Sequence, residues 1–258
     1  MTEPGPAAVA VLVGGVSELF QRDLDLGRLA VERLQTEDLG RGVVVEELHY
    51  GAVAVAQRLE ELQPGVLVLV SAVRRDRAPG TVQRRRLDPA ELSTAEVQAA
   101  VGDAVTGYVH PDLVVEIATA LGVLPARTVA VEVEPEATGS GEGLSESASA
   151  GLEVALELVR AETRRAPLLA LAVELRSLVE GDRLEESAAL STLRQLLIEL
   201  QQLDRHGRWG RTFALRDRLR TDIAQGASSE GMDNRDWALW WALIEELDRL
   251  AVVESVIA

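Results

Sequence analysis

The stretch AVAVLVGGVSELFQRDLDLGRLAVERL, residues 8–34, decides the fold. Ala8 to Val13 is a short, nearly continuous apolar run that stops at Gly14-Gly15, as expected of a strand buried on both faces that feeds a tight turn. After a polar loop, Leu26, Leu29, Ala30 and Leu34 recur at helical spacing, so the segment from about Leu24 to Leu39 predicts an amphipathic helix. The unit then repeats. Val43 to Glu47 reads as a strand, and Ala52 to Leu62 as a helix with Val55, Leu59 and Leu62 on one side. Pro64-Gly65 breaks that helix ahead of Val66 to Val70, the most apolar strand of the chain. A β-α-β-α-β order with short connections predicts a largely parallel sheet covered on both faces.

Farther along, Pro79-Gly80 marks a turn before an extended, more exposed segment, Thr81 to Arg86, suited to a sheet edge. Leu87 to Gly107 is weakly patterned and reads as a short helix or an ordered loop. Pro111 opens a helix over Asp112 to Leu121 that Gly122 stops, and Thr128 to Val133 supplies a fifth strand. Pro135 to Gly143 is a loop, followed by a long helix from Ser147 to about Arg164. The rest holds only helical runs: Leu168 to Val179, Ala188 to Leu203, Phe213 to Ile223 and Trp237 to Val253. The expected fold class is therefore α/β, with a mostly parallel five-stranded sheet in residues 1–164 and an all-helical extension in residues 165–258. In the extension Trp237, Trp241, Ile244 and Leu247 trace an apolar face, either a bundle core or a partner surface, with Asp233 or Asn234 as its cap.

Composition narrows the chemistry. The absence of cysteine in 258 residues excludes disulfides, thiolate zinc sites, iron-sulfur clusters and thiol catalysis. Forty-two acids face 26 basic residues, all of them Arg, and the formal charge of -16 opposes a polyanionic partner such as nucleic acid. The excess is concentrated in the first 160 residues, which hold 25 acids and 13 arginines. The runs Arg74-Arg75-Asp76-Arg77 and Arg84-Arg85-Arg86 read as solvated edges. No apolar run is long enough for a membrane span, and the start lacks the basic region of a signal peptide, so a soluble cytoplasmic protein is expected.

Open parallel sheets place sites beyond the carboxyl ends of their strands, which here directs attention to residues 14–27, 46–51, 70–80 and the loop before His110. The first loop has neither GxGxxG nor GxxxxGK[ST], and Glu18, Asp23 and Asp25 would repel a phosphate. Asp23 and Asp25 fit a helix start, or else carboxylates reaching into a rim cleft. His110 fits a helix start or a metal or peptide contact, and His49 beside Tyr50 is similar. Neither HExxH nor GxSxG is present, so no catalytic group and no resident metal or cofactor is assigned.

Several weak motifs in order make residues 8 to about 160 resemble the [NiFe]-hydrogenase maturation endopeptidases. The family's first pattern, GxGNxLxxDDGxG, falls on Gly15 to Gly27 and runs into the helix Arg28 to Leu34. Its Asp-Ala strand end and Pro-Gly-Thr turn fall on Ser71-Ala72 and Pro79-Gly80-Thr81, and its Leu-Gly-x-x-Pro on Leu121 to Pro125. A valine-rich strand ending Glu134-Pro135-Glu136 and the helix opening at Gly143-Leu144-Ser145 complete the match. The resemblance implies a protease that removes a carboxy-terminal extension from the hydrogenase large subunit, recognising nickel already inserted in that precursor. It also implies three nickel-holding side chains, two acids and a histidine. Here the first position is Leu24, the second Ser71, and the third falls nearer Gly107 than His110, which a three-residue shift would bring in; the family's Asn is Glu18. Leucine has no donor atom and a lone serine hydroxyl is a poor ligand for nickel. Two outcomes follow for a cleft of Glu18, Asp23, Asp25, Ser71 and His110. In one, the protein is non-catalytic and binds a large-subunit precursor or an assembly factor. In the other, it is a divergent endopeptidase in which rearranged acids and His110 read the precursor's nickel.

Overall fold

The computed structural model describes residues 9–89, 93–105, 109–180, 188–209, 212–224 and 234–257. Two compact units emerge, Met1–Thr163 and Arg164–Ala258.

The first unit is built on a five-stranded sheet: β1 (Val11–Gly15), β2 (Val43–Glu47), β3 (Val66–Ala72), β4 (Val82–Leu87) and β5 (Arg127–Val133). Their order is β2-β1-β3-β5-β4. The first three pairings are parallel and β4 runs antiparallel to β5 at the edge, in register Arg84 to Val131. Strands β1, β3 and β5 are buried along their whole length, as continuous apolar runs between two helical layers require. Helices α1 (Leu26–Leu34), α2 (Ala52–Leu62), α3 (Thr94–Val105) and α4 (Pro111–Ala120) supply those layers together with the start of α5 (Glu146–Glu180). Leu12, Leu67 and Leu69 pack with Val55 and Leu59 of α2 and with Leu113 and Ile117 of α4. The weakly patterned stretch after Leu87 thus holds a true helix, α3, which adds Ala100 to that layer.

On the other face, the end of β1 and the first turn of α1 touch backbone to backbone. A Cβ on Gly27 would lie 2.5 Å from the carbonyl oxygen of Val16 and 2.7 Å from its nitrogen, and one on Gly15 would collide with Gly27. Two glycines a dozen residues apart therefore set how closely α1 seats against the sheet.

Helix α5 departs from the sequence expectation, because it continues through Pro167 rather than ending near Arg164. Proline removes one hydrogen bond, to residue 163, and the two units part between Thr163 and Arg164. Burial on both sides of the proline, at Ala166 and Leu168, holds the continuation.

The second unit contains α6 (Ala188–His206), α7 (Thr212–Ala224) and α8 (Asn234–Ile257) besides the end of α5, and no strand among its described residues. Its core gathers Leu168, Leu175, Leu196, Leu200, Trp209 and Trp240. The buried face of α8 differs from the expected one: Trp240, Leu243, Ile244, Leu247 and Leu250 point inward, whereas Trp241 is 51% exposed. The side chains of Trp237 and Asp233 lie outside the described residues. Among those residues, no helix is long and apolar enough to cross a membrane.

Replacing Gly27 by Ala should lower the unfolding free energy by about 3 kcal/mol, because the added methyl meets backbone that cannot turn aside. Gly102→Ala in α3, where a Cβ meets nothing within 4 Å, should instead raise it by about 0.5–1 kcal/mol. Urea denaturation of both variants measures the contrast.

Candidate functional site

Beyond the carboxyl ends of β1 and β3 lies a cavity of about 490 Å³. Four pieces of backbone frame it: the loop leaving β1, the strap leaving β3, the start of α4, and Thr138 in the loop after β5. Leu24, Ser71 and His110, well separated in sequence, all line it, and so does Glu18.

The first wall depends on one carboxylate that stays out of the cavity. Asp23 is fully buried and accepts from the backbone nitrogens of Glu136 and Ala137 (each 2.8 Å), from Ser145 N (2.6 Å) and from Ser145 Oγ (2.9 Å). Burial pushes its carboxyl up, but the amide and hydroxyl bonds from Ala137, Ser145 and Glu136 outweigh that and hold it below the ordinary aspartate range. The loop is stitched further by Arg22 N to Gly141 O (3.0 Å) and Gly141 N to Phe20 O (2.8 Å). Asp25 also leaves the cavity, at the N-cap position of α1, and binds Arg28 at 2.7 Å. Both aspartates were candidates for the cleft; the loop turns through a single 3-10 turn, Arg22–Asp25, which aims them at backbone and at Arg28 and turns Leu24 toward the cavity.

At the second wall Ser71, 1% exposed, shares its sheet face with Leu67 and Leu69, the face on which α4 packs. Its hydroxyl is buried and has no hydrogen-bond partner. At the third wall His110 is the N-cap of α4, and its Nδ1 accepts from Leu113 N at 3.3 Å. In the neutral ring the proton then sits on Nε2. Gly107, the alternative position by spacing, lies outside the described residues.

Apart from the exposed Arg74, the arginines of the two basic runs are only partly exposed and are bonded within the fold. Glu132, whose side chain is fully buried, binds Arg75 and Arg85 (each 2.9 Å) and Arg77 (3.4 Å). Asp112 receives Arg75 (2.7 Å) and Arg85 (3.2 Å), and Glu134 binds Arg77 Nε (3.0 Å) and the backbone nitrogen of Arg75 (2.9 Å). The bond to Glu132, helped by Asp112, raises the Arg75 pKa above its already high ordinary value. On the far side of the sheet, Arg84 and Arg127 both pair with the buried Glu162. Arg74, Arg75 and Asp112 also line the cavity. Sequence reasoning missed them, although two glutamates alternating through an otherwise apolar strand, Val131 to Glu134, already demand nearby cations.

Among the described residues, no group of three or more His, Asp or Glu side chains is placed to hold a metal ion. The cavity is a polar-floored cleft with one histidine, two serines and one glutamate besides the paired Asp112, between apolar walls that include Val16, Leu24 and Val109.

No family model matches the chain, and no curated protein matches it. Among solved structures, it is similar to the hydrogenase maturating endopeptidase HybD from E. coli, with 22% identity and a TM-score of 0.47 over 61% of this chain and 93% of that one. A solution structure of an endopeptidase from Escherichia coli gives 23% identity and a TM-score of 0.47 over 60% of this chain and 92% of the other. A hydrogenase 2 maturation peptidase from a Thaumarchaeota archaeon gives 20% and 0.42 over 58% of this chain and 95% of the other.

The Asp23 bonds make a pH prediction. A folded pKa held below the unfolded value adds stability above the unfolded value, near 3.9, that disappears as pH falls through the folded one. Asp23→Ala should cost about 3 kcal/mol at pH 7, since it leaves buried amides without an acceptor, and the gap to the parent protein should narrow below about pH 4. Hydrogen exchange should accelerate at Ala137 and Ser145. An unchanged melting temperature at neutral pH would refute this role.

Proposed function

We propose that this protein is a non-catalytic relative of the hydrogenase maturation endopeptidases, which binds a hydrogenase large-subunit precursor, or an assembly protein that handles one, without cleaving it. One observation carries the proposal: Leu24 and Ser71, the positions that the motif order assigns to the two nickel-reading acids, line a single cavity together with His110, which a three-residue shift in the match would make the third position. Neither Leu24 nor Ser71 is an acid, which supports the non-catalytic reading. A leucine contributes apolar wall, and the serine hydroxyl is neutral at physiological pH. Nickel in this scheme is cargo of the precursor rather than a cofactor of the protein. The cleft of the proposal comprises Glu18, Ser71 and His110; residues 1–164 form the maturation-protease-like domain and residues 165–258 a helical extension, in a cytoplasmic protein.

Incubation of the purified protein with nickel-loaded precursor tests this directly. The expected result is a complex with unchanged precursor mass. A mass loss matching the carboxy-terminal peptide, suppressed by His110→Ala, would establish the divergent endopeptidase instead.

The cavity also predicts a gain of function. Calorimetry of the tag-free protein with Ni²⁺ should show no one-to-one site of micromolar affinity, whereas the double variant L24E/S71D, which places two carboxylates beside His110, should bind about a hundredfold more tightly than its parent. Adding His110→Ala to the double variant should abolish the gain. Equal affinity of parent and double variant would show that the three positions do not converge on one ion.

A further inference from the structure

The sheet ends at β2, which is hydrogen-bonded to β1 on one side and pairs with no other strand among the described residues. The bonds from Ala10 N to Gly42 O and from Leu48 N to Gly15 O (each 2.8 Å) show which of its backbone groups turn inward. Direction alternates along a strand, so the N–H and C=O groups of Val43, Val45 and Glu47 point outward from the edge.

Two of those outward groups are held within the chain. Val43 N donates to Gly40 O across a long 3.4 Å, and Val45 O accepts from the side-chain amide of Gln35 at 3.1 Å. Among the described residues none bonds Val43 O, Val45 N or the backbone groups of Glu47. Gln35 is the C-cap of α1, and its bond to the edge is exposed, so water competes for it and its net worth is small.

The strand is complementary to itself about a two-fold axis at Val44. Val43 then comes opposite Val45 of a second copy, where the N–H and C=O groups of both pair in both directions, and the symmetry repeats the pair. Val44 meets its own counterpart in the close, non-hydrogen-bonded position. Arg41, two residues ahead of the strand, comes level with Glu47 of the other copy, an opposite-charge pair made twice.

We propose that the outer edge of β2 is an interface with a second copy of this chain, paired antiparallel about Val44, and that the Gln35 amide is the latch that closes this edge in the monomer. Pairing exchanges the Gln35 amide on Val45 O for a backbone N–H and gives partners to Val45 N and Val43 O. A second copy suits the edge because its own residues supply the complementary charges. The net charge of -16 opposes association at long range, but in ~150 mM salt the Debye length of about 8 Å leaves mainly near pairs such as Arg41 with Glu47. None of these residues lines the cavity beyond β1 and β3, so the inference stands or falls apart from the proposed function.

Sedimentation velocity of the full chain over a concentration series, in ~150 mM salt, reads the monomer-dimer equilibrium. Gln35→Ala frees Val45 O on both copies and should tighten dimerisation by about tenfold relative to the parent chain. Adding Val45→Pro should return that variant to monomer while keeping its melting temperature, since the lost N–H points away from β1. In the Gln35→Ala background, Arg41→Glu should weaken the dimer by about tenfold, and Glu47→Arg added to it should restore the affinity. Hydrogen exchange should show the Val45 amide becoming protected as the Gln35→Ala protein is concentrated. A Gln35→Ala chain that dimerises no more tightly than its parent, a dimer that survives Val45→Pro, an Arg41→Glu variant that is unaffected or that Glu47→Arg does not rescue, or a Val45 amide equally exposed at every concentration would each overturn the proposal.

Discussion

A buried carboxylate holds the working end of the α/β unit together. Asp23 accepts four hydrogen bonds from residues 136–145 and thereby ties the loop after β1 to the loop after β5, which are more than a hundred residues apart in sequence. Hydrogen bonds from amides to a charged acceptor away from water are among the stronger ones a fold contains. Everything that loop offers, including Glu18 and Leu24 toward the cavity and Phe20 toward solvent, is placed by this staple and by the glycine contact that seats α1.

The charge pattern of the cleft follows from a different economy. The strap after β3 carries three arginines: Arg74 bonds the Thr138 hydroxyl, and β5 and α4 carry the acids that meet Arg75 and Arg77. Breaking such a buried pair strands a charge, so the strap's arginines hold its position rather than waiting for a ligand. The buried Ser71 hydroxyl has no partner among the described residues, and His110 is oriented by its own helix. A divalent ion asks for several donors in a fixed geometry, and among the described residues no group of three His, Asp or Glu side chains is placed to hold one.

The helical unit is bound by a separate rule. Its tryptophans divide between core and surface according to helical period, Trp240 inside with Leu243 and Leu247, and the adjacent Trp241 outside. Arg165 lies 4.9 Å over the ring of Trp209, which adds a cation-π contact near the point where α5 passes Pro167. No signal in the sequence distinguishes the two neighbouring tryptophans, since the choice depends on which side of α8 meets the other helices.

The sequence by itself determined the elements. The apolar runs at Val11, Val66 and Arg127 became fully buried strands, and Ala52 to Leu62 became a helix with those bounds, since a side-chain period of two or of 3.6 is a local property. It also determined which donors are on offer, because a leucine at position 24 has no donor atom and a serine at position 71 only a neutral hydroxyl in any fold. Convergence was decided only by tertiary structure. Whether Asp23 faces the cleft or the loop behind it, whether an arginine run is solvated or neutralised by Glu132, and whether a helix survives Pro167 each depend on partners distant in sequence. A carboxylate or guanidinium reads the same in sequence whether paired or free, and its role is settled by the desolvation and hydrogen bonding that packing imposes on it.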